Sequence, residues 1–221
     1  VKALSDEKLP AEISEATNQA AALLAAEGAE LVEIELPYFA YAVPTYYIIS
    51  TAEASSNLAR YDGVRYGKRV LETGDSLDQM YQKTRADAFG SEVKRRILTG
   101  TYVLSAGYYE AYYGKALQVR ALIKNDFIKA LDQVEAILTP TTPNTAFALD
   151  EKLTNIEMYL NDYYTVAANL AGLPALNLPF SQAANGLPIG VQLTAKPLAE
   201  ASLLSIASHL ERLAAFDRDQ L

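Results

Sequence analysis

The sequence predicts an α/β fold in which helices pack against a mixed sheet. Two patterns carry this. Segments with apolar residues three or four apart alternate with short apolar, β-branched segments bounded by Pro and Gly. Half of the 221 residues are apolar, enough for a sizeable core. No repeat, linker or low-complexity tract divides the chain, so it reads as a single domain over 1–221.

Pro10 suits a first helical turn, Ile13, Ala16, Ala20 and Leu24 recur at helical spacing, and Gly28 is placed to end the helix. Val32, Ile34 and Leu36 alternate with Glu33 and Glu35, which predicts a half-exposed strand stopped by Pro37. A helix follows over Thr45–Arg60, then a loop over Tyr61–Gly74 with three glycines. Helices are expected over Ser76–Ala88 and Ser91–Leu98. A long one is expected over Ala106–Val134, with Tyr112, Ala116, Val119, Ile123, Phe127, Ala130 and Val134 as its buried stripe. Ala136–Thr139 is a short strand ended by PTTP, and Glu157–Leu170 reads as helix. Ala175–Phe180 and Ile189–Thr194 are strands joined at Asn185-Gly186, a hairpin signal. Leu203, Ile206, Leu210 and Leu213 mark a final amphipathic helix.

Composition removes several classes of chemistry. There is no cysteine, so disulfides and thiolate nucleophiles are excluded, and no metal site is expected from scattered carboxylates. No apolar run approaches the ~20 residues of a membrane span, and the first residues lack the apolar core of a signal peptide. These features fit a cytoplasmic protein. The absence of Met at position 1 fits a chain that begins inside a longer one. The net charge is −8, and the dense basic cluster is Lys94-Arg95-Arg96, so charge alone argues against RNA binding. The one histidine, His209, has no partner in the pattern, and Ser55-Ser56 sits in a helix without flanking glycines. Neither reads as catalytic. The fifteen tyrosines read as amphipathic packing.

Five stretches carry a family resemblance: STAEASSNLARYDGVRYG (Ser50–Gly67), SEVKRRILTGTYVLSAGYYEAYYGKA (Ser91–Ala116), ILTPTTP (Ile137–Pro143), ANLAGLPALNLPF (Ala168–Phe180) and NGLPIGVQL (Asn185–Leu193). Together they resemble the A subunits of the tRNA-dependent amidotransferases that form Gln-tRNA(Gln), a branch of the amidase-signature enzymes. The resemblance covers nearly the whole chain and matches the carboxy-terminal half of that family. It implies part of the amidase-signature fold, a mixed β-sheet sandwiched between helices. It also implies a glutaminase function: ammonia is released from glutamine and used to convert misacylated Glu-tRNA(Gln) to Gln-tRNA(Gln).

The family's partners are then implied as well. B and C subunits complete the complex. ATP and Mg belong to the partner, and misacylated tRNA is held mainly by B. No cofactor is implied for this chain. The family's serine, cis-serine and lysine lie in a glycine- and serine-rich signature that has no counterpart here, so no catalytic residue is assigned and the isolated chain is expected to be inactive. Two other readings remain. One is part of a stand-alone amidase; the other is a non-catalytic interaction module.

By motif match, the resemblance implies that Tyr46 (in PTYYIIS), Arg95 (in EVKRR) and Asp162 (in MYLNDYYT) bind the substrate amino acid. Glutamine is a zwitterion, and a planar guanidinium suits its carboxylate while a carboxylate suits its ammonium. Arg96 and Tyr47 compete with their neighbours for these roles. On the bland reading, Lys94–Arg96 is an exposed helix face, Asp162 a helix cap, and Thr139–Pro143 a rigid strand end. An incomplete sheet would leave an unpaired edge, so the isolated chain is also expected to self-associate.

Overall fold

Pro10 and Gly28 bracket the first helix, α1 (Ala11–Ala26), and Gly28 takes φ +96°, a conformation glycine adopts without a Cβ clash. The structure is a computed structural model and describes residues 9–216. The further helices are α2 (Ala42–Leu58), α3 (Leu77–Ala88), α4 (Ser91–Val103), α5 (Lys115–Leu131), α6 (Asn155–Leu160), α7 (Val166–Ala171) and α8 (Glu200–Ala214). The strands are β1 (Ala136–Pro140), β2 (Ala175–Gln182) and β3 (Pro188–Ala195). The chain forms two compact units: residues up to Val43 with those from Val119 onward, and Pro44–Gln118.

The first unit is built on the sheet. Its strand order is β1-β3-β2, and both pairings are antiparallel, with Leu193 opposite Leu138 on one side and Leu176 on the other. The β2–β3 connection turns at Asn185-Gly186 as the sequence predicts. Gly186 has φ +80°, and its N–H donates to the Ala183 carbonyl at 2.9 Å. Val191, Leu193 and Ala195 of β3 join Leu178 and Phe180 of β2 in a core covered by Ile13, Ala16 and Ala20 of α1 and Leu203, Ala207 and Leu210 of α8. The alternate β3 residues, Gln192 and Thr194, are buried on the opposite face. There the Gln192 amide donates to the Tyr164 carbonyl at 3.1 Å, tying the α6–α7 turn to the sheet. The predicted α/β architecture is therefore present.

Three sequence expectations are corrected. Residues 29–36 form no strand. Their alternation reports one-sided burial only: Ile34 and Leu36 are buried, while Leu31 and Val32 are exposed. A strand also needs a ladder partner, and none pairs with this segment among the described residues.

The helix predicted over 106–134 begins as a π-helical turn, Glu110–Gly114, before α5. The Gly114 N–H donates to the Tyr109 carbonyl five residues back at 2.9 Å, and the wider turn leaves Tyr112 exposed rather than in the buried stripe.

The helix predicted over 157–170 is two short helices. The Asp162 carbonyl accepts from the N–H groups of both Thr165 and Val166, at 3.1 Å each, and so closes a turn between them. The rings of Tyr163 and Tyr164 then pack with Phe39, at 5.2 and 6.3 Å between centroids.

The second unit holds most of α2, with α3, α4 and the start of α5. Ser76 and Gln79 form a reciprocal cap at the start of α3. Among the described residues, no helix is long and apolar enough to cross a membrane.

Candidate functional site

In the second unit, α2 and α4 meet at a glycine. A Cβ on Gly100 would stand 2.0 Å from the Thr51 carbonyl oxygen, so only glycine permits this approach. One residue along, the Ser55 and Thr101 hydroxyls share a hydrogen bond of 2.9 Å. That contact is the role the structure gives Ser55, a packing role rather than a catalytic one.

One turn back from Gly100 is Arg96, and one turn back from Thr51 is Tyr47. The Arg96 guanidinium carbon lies 5.7 Å from the centre of the Tyr47 ring. The pairs 96/47, 100/51 and 101/55 show that the two helices run in the same direction past each other.

Arg96 is half-buried, and its Nε donates to Glu92 at 3.0 Å. That hydrogen bond holds the guanidinium more firmly protonated than usual, partly opposed by burial and reinforced by the Tyr46 hydroxyl. With Nε engaged, the terminal nitrogens present an edge of in-plane N–H donors, the geometry that suits a carboxylate. Arg95 is exposed, with half of its side-chain surface open, and donates to the other Glu92 oxygen at 2.9 Å. Glu92 therefore steers both arginines; it is a residue that motif reading missed, although its spacing of three and four from them is a helical pairing signal. The Tyr46 and Tyr47 rings pack edge to face at 5.0 Å. Ser50, one turn beyond Tyr46, has a buried hydroxyl with no hydrogen-bond partner among the described residues.

The structure thus joins Tyr46, Tyr47 and Arg96 in one cluster. Asp162 belongs to the other unit. It is half-buried in the α6–α7 turn, which its own carbonyl closes. The turn is anchored through Tyr164 to Gln192, a buried amide that also reaches the Thr139 hydroxyl at 3.4 Å. Gln192 went unnoticed in the sequence because one polar residue in an apolar strand carries no pattern. In the same unit, the Thr141 hydroxyl donates to Asn177 at 2.5 Å, where a Cβ on Gly190 would collide with Asn177, so the PTTP segment is a fixed strand end. A hollow of about 370 Å³ between residues 33–37 and α5 contains none of the sequence-predicted site residues. Among the described residues, no three His, Cys, Asp or Glu side chains gather to hold a metal.

The chain matches the family described as Amidase over residues 1–204. The A subunit of the glutamyl-tRNA(Gln) amidotransferase of Rhizorhabdus wittichii is 56% identical over 211 residues, covering 95% of this chain and 43% of that protein. The protein of the same name from Ruegeria sp. is 54% identical over 212 residues, covering 94% and 43%. The crystal structure of its namesake from Thermotoga maritima superposes with a TM-score of 0.73 at 36% identity, over 99% of this chain and 42% of that one. A crystal structure described as an amidase superposes with a TM-score of 0.72 at 22% identity, over 95% of this chain and 43% of that chain, a likeness of fold alone. The chain spans less than half the length of these curated relatives.

Proposed function

The chain belongs to the amidase family, and from that premise we propose that it is the carboxy-terminal portion of a glutamyl-tRNA(Gln) amidotransferase A subunit. The high identity to proteins of that name, sustained along nearly the whole chain, carries the proposal. On this reading the complete protein releases ammonia from glutamine. B and C subunits accept the ammonia and spend ATP, with Mg, on misacylated tRNA in the cytoplasm. The reacting serine, cis-serine and lysine lie outside these residues.

This chain's contribution is recognition of glutamine. Arg96, pre-oriented by Glu92 and the Tyr47 ring, offers its terminal nitrogens to the α-carboxylate. Tyr46 adds its hydroxyl, Asp162 takes the α-ammonium, and Arg95 tunes the Glu92 carboxylate shared between the two arginines. The contacts of Arg96 with the Tyr47 ring and the Tyr46 hydroxyl support it for the direct contact, with Arg95 as the alternative.

The test is the glutamine dependence of amide transfer by the full complex. Arg96→Ala and Asp162→Ala are each expected to raise the glutamine KM by tenfold or more, equivalent to about 1.4 kcal/mol. Transfer from added ammonia should continue, since ammonia needs no pocket for an amino acid. Near-normal glutamine kinetics in both variants would reject the assignment. The isolated chain is expected to show no glutamine turnover.

A further inference from the structure

The net charge of −8 conceals a division. Residues 44–118 contain ten Lys or Arg against eight Asp or Glu, a balance of +2, so the rest of the chain carries −10. Besides Lys94–Arg96, the excess is concentrated at Arg60–Arg69, where RYDGVRYGKR has four cations and one anion, and where the dipeptide Arg-Tyr occurs twice, five residues apart.

The loop is held in a fixed shape. The Asp62 carboxylate accepts from the Val64 N–H at 2.8 Å, and Arg69 donates to the carbonyls of Gly63 and, at 2.9 Å, Val64. Arg85 donates to the carbonyls of Leu58 and Tyr61 at 2.8 and 3.1 Å. The Val70 N–H reaches the Thr84 hydroxyl at 2.9 Å. Gly63, at φ +80°, lies so close to Thr84 that a Cβ would stand 2.8 Å from its methyl carbon. Arg69 is thus used internally and Lys68 is bridged to Asp87. Arg60 and Arg65 extend as exposed cations beside Tyr61 and Tyr66. Those two rings sit edge to face at 5.1 Å, and each residue is nearly half exposed, at 44% and 47%.

We propose that the Arg60–Arg69 loop is an RNA-contacting surface, in which Arg60 and Arg65 meet phosphates and the partly exposed rings of Tyr61 and Tyr66 stack on unpaired bases. Cations set beside exposed aromatic rings on a rigid backbone are the combination that single-stranded nucleic acid requires. A rigid loop also has little conformational entropy left to lose on binding. An acidic protein surface could engage the same arginines and rings, and the polyglutamate arm of the test separates it from RNA. The proposal rests on this loop and not on the amidotransferase reading.

The test is fluorescence anisotropy of a labelled, unstructured RNA of about twelve nucleotides titrated with the full chain across about 50–200 mM salt. Affinity is expected to fall with salt. The double variant Arg60→Gln/Arg65→Gln should bind more weakly and lower the slope of log K against log salt by about 1.4, or ~0.7 for each lost phosphate contact. Tyr66→Ser should weaken binding about fivefold or more with the slope unchanged. Lys124→Gln, which removes an exposed cation in the other unit, should change neither. Matching circular dichroism melts of the variants would locate the loss in the loop. No binding at the lowest salt, or an unaltered slope in the double variant, would overturn the proposal. Equal affinity for polyglutamate, with Tyr66→Ser silent, would also overturn it and assign the loop to an acidic protein partner.

Discussion

Gly100→Ala tests whether the α2–α4 crossing sets the Arg96 cluster. Two effects oppose each other. Alanine is the better helix former by about 1 kcal/mol in a helix interior, so on local grounds the substitution should stabilise. Against this, the new methyl would lie 2.0 Å from the Thr51 carbonyl oxygen, 2.6 Å from its carbon and 2.7 Å from the Ser55 Cβ. Two of these atoms are backbone, which cannot rotate away, so the helices must separate. Overpacking of this kind costs about 1–3 kcal/mol, with the upper part of the range expected where backbone is struck. The net expectation is a loss of about 1–2 kcal/mol. It is read as a lower urea midpoint at unchanged m-value, followed by circular dichroism. Thr99→Ala, exposed on the same helix, gains propensity without meeting anything and should hold or raise the midpoint. On the proposed amidotransferase reading, Gly100→Ala in the full complex should also raise the glutamine KM, because Arg96 and Tyr47 ride on the helices being separated. A midpoint at or above that of the parent chain would refute the reasoning.

Gly186→Ala isolates the other kind of glycine requirement. No atom lies within 4 Å of the added Cβ, but φ is +80°, so the expected loss of about 1 kcal/mol is conformational. It should appear as a lower urea midpoint without any change in ligand affinity. Tyr102 should titrate late, with its phenol pushed up to about 12, first by its hydrogen bond with Tyr108 and further by Tyr112. Because the folded value is raised, the stabilisation is complete below the ordinary value near 10 and disappears as pH rises through about 12. Difference absorbance of Tyr102→Phe against the parent should remove the latest-titrating phenolate; loss of a phenolate that forms near pH 10 would contradict the contact.

Sequence signals that act within a few residues were legible. Pro10 and Gly28 delimit α1, the helix expected over Ser76–Ala88 forms as α3, and Asn185-Gly186 turns the β2–β3 connection. The failures share a physical cause. Alternation at Val32, Ile34 and Leu36 reports burial only at Ile34 and Leu36, and a strand is defined by a partner, which this segment lacks among the described residues. The three-to-four spacing from Tyr112 to Val134 is compatible with one long helix, because periodicity does not register a single hydrogen bond reaching five residues back at Gly114. The break at Asp162 depends on Phe39, more than a hundred positions away, which the rings of Tyr163 and Tyr164 pack against.

The candidate site divides along the same line. The residue types proposed for the pocket come from motifs, which leave Arg95 and Arg96 as alternatives, because neighbours on a helix point about 100° apart and Glu92 reaches both. On the proposed reading, the registry of α4 on α2, which Gly100 permits and the Ser55–Thr101 hydrogen bond holds, supports Arg96. Net charge bears on the proposed RNA surface for a related reason. A sum over the chain assigns one character to a molecule whose 44–118 segment carries +2 against −10 elsewhere. At physiological salt an exposed charge acts over only about 8 Å. A partner at the Arg60–Arg69 loop therefore responds to that loop, and the acidic remainder sets solubility without deciding what the loop binds.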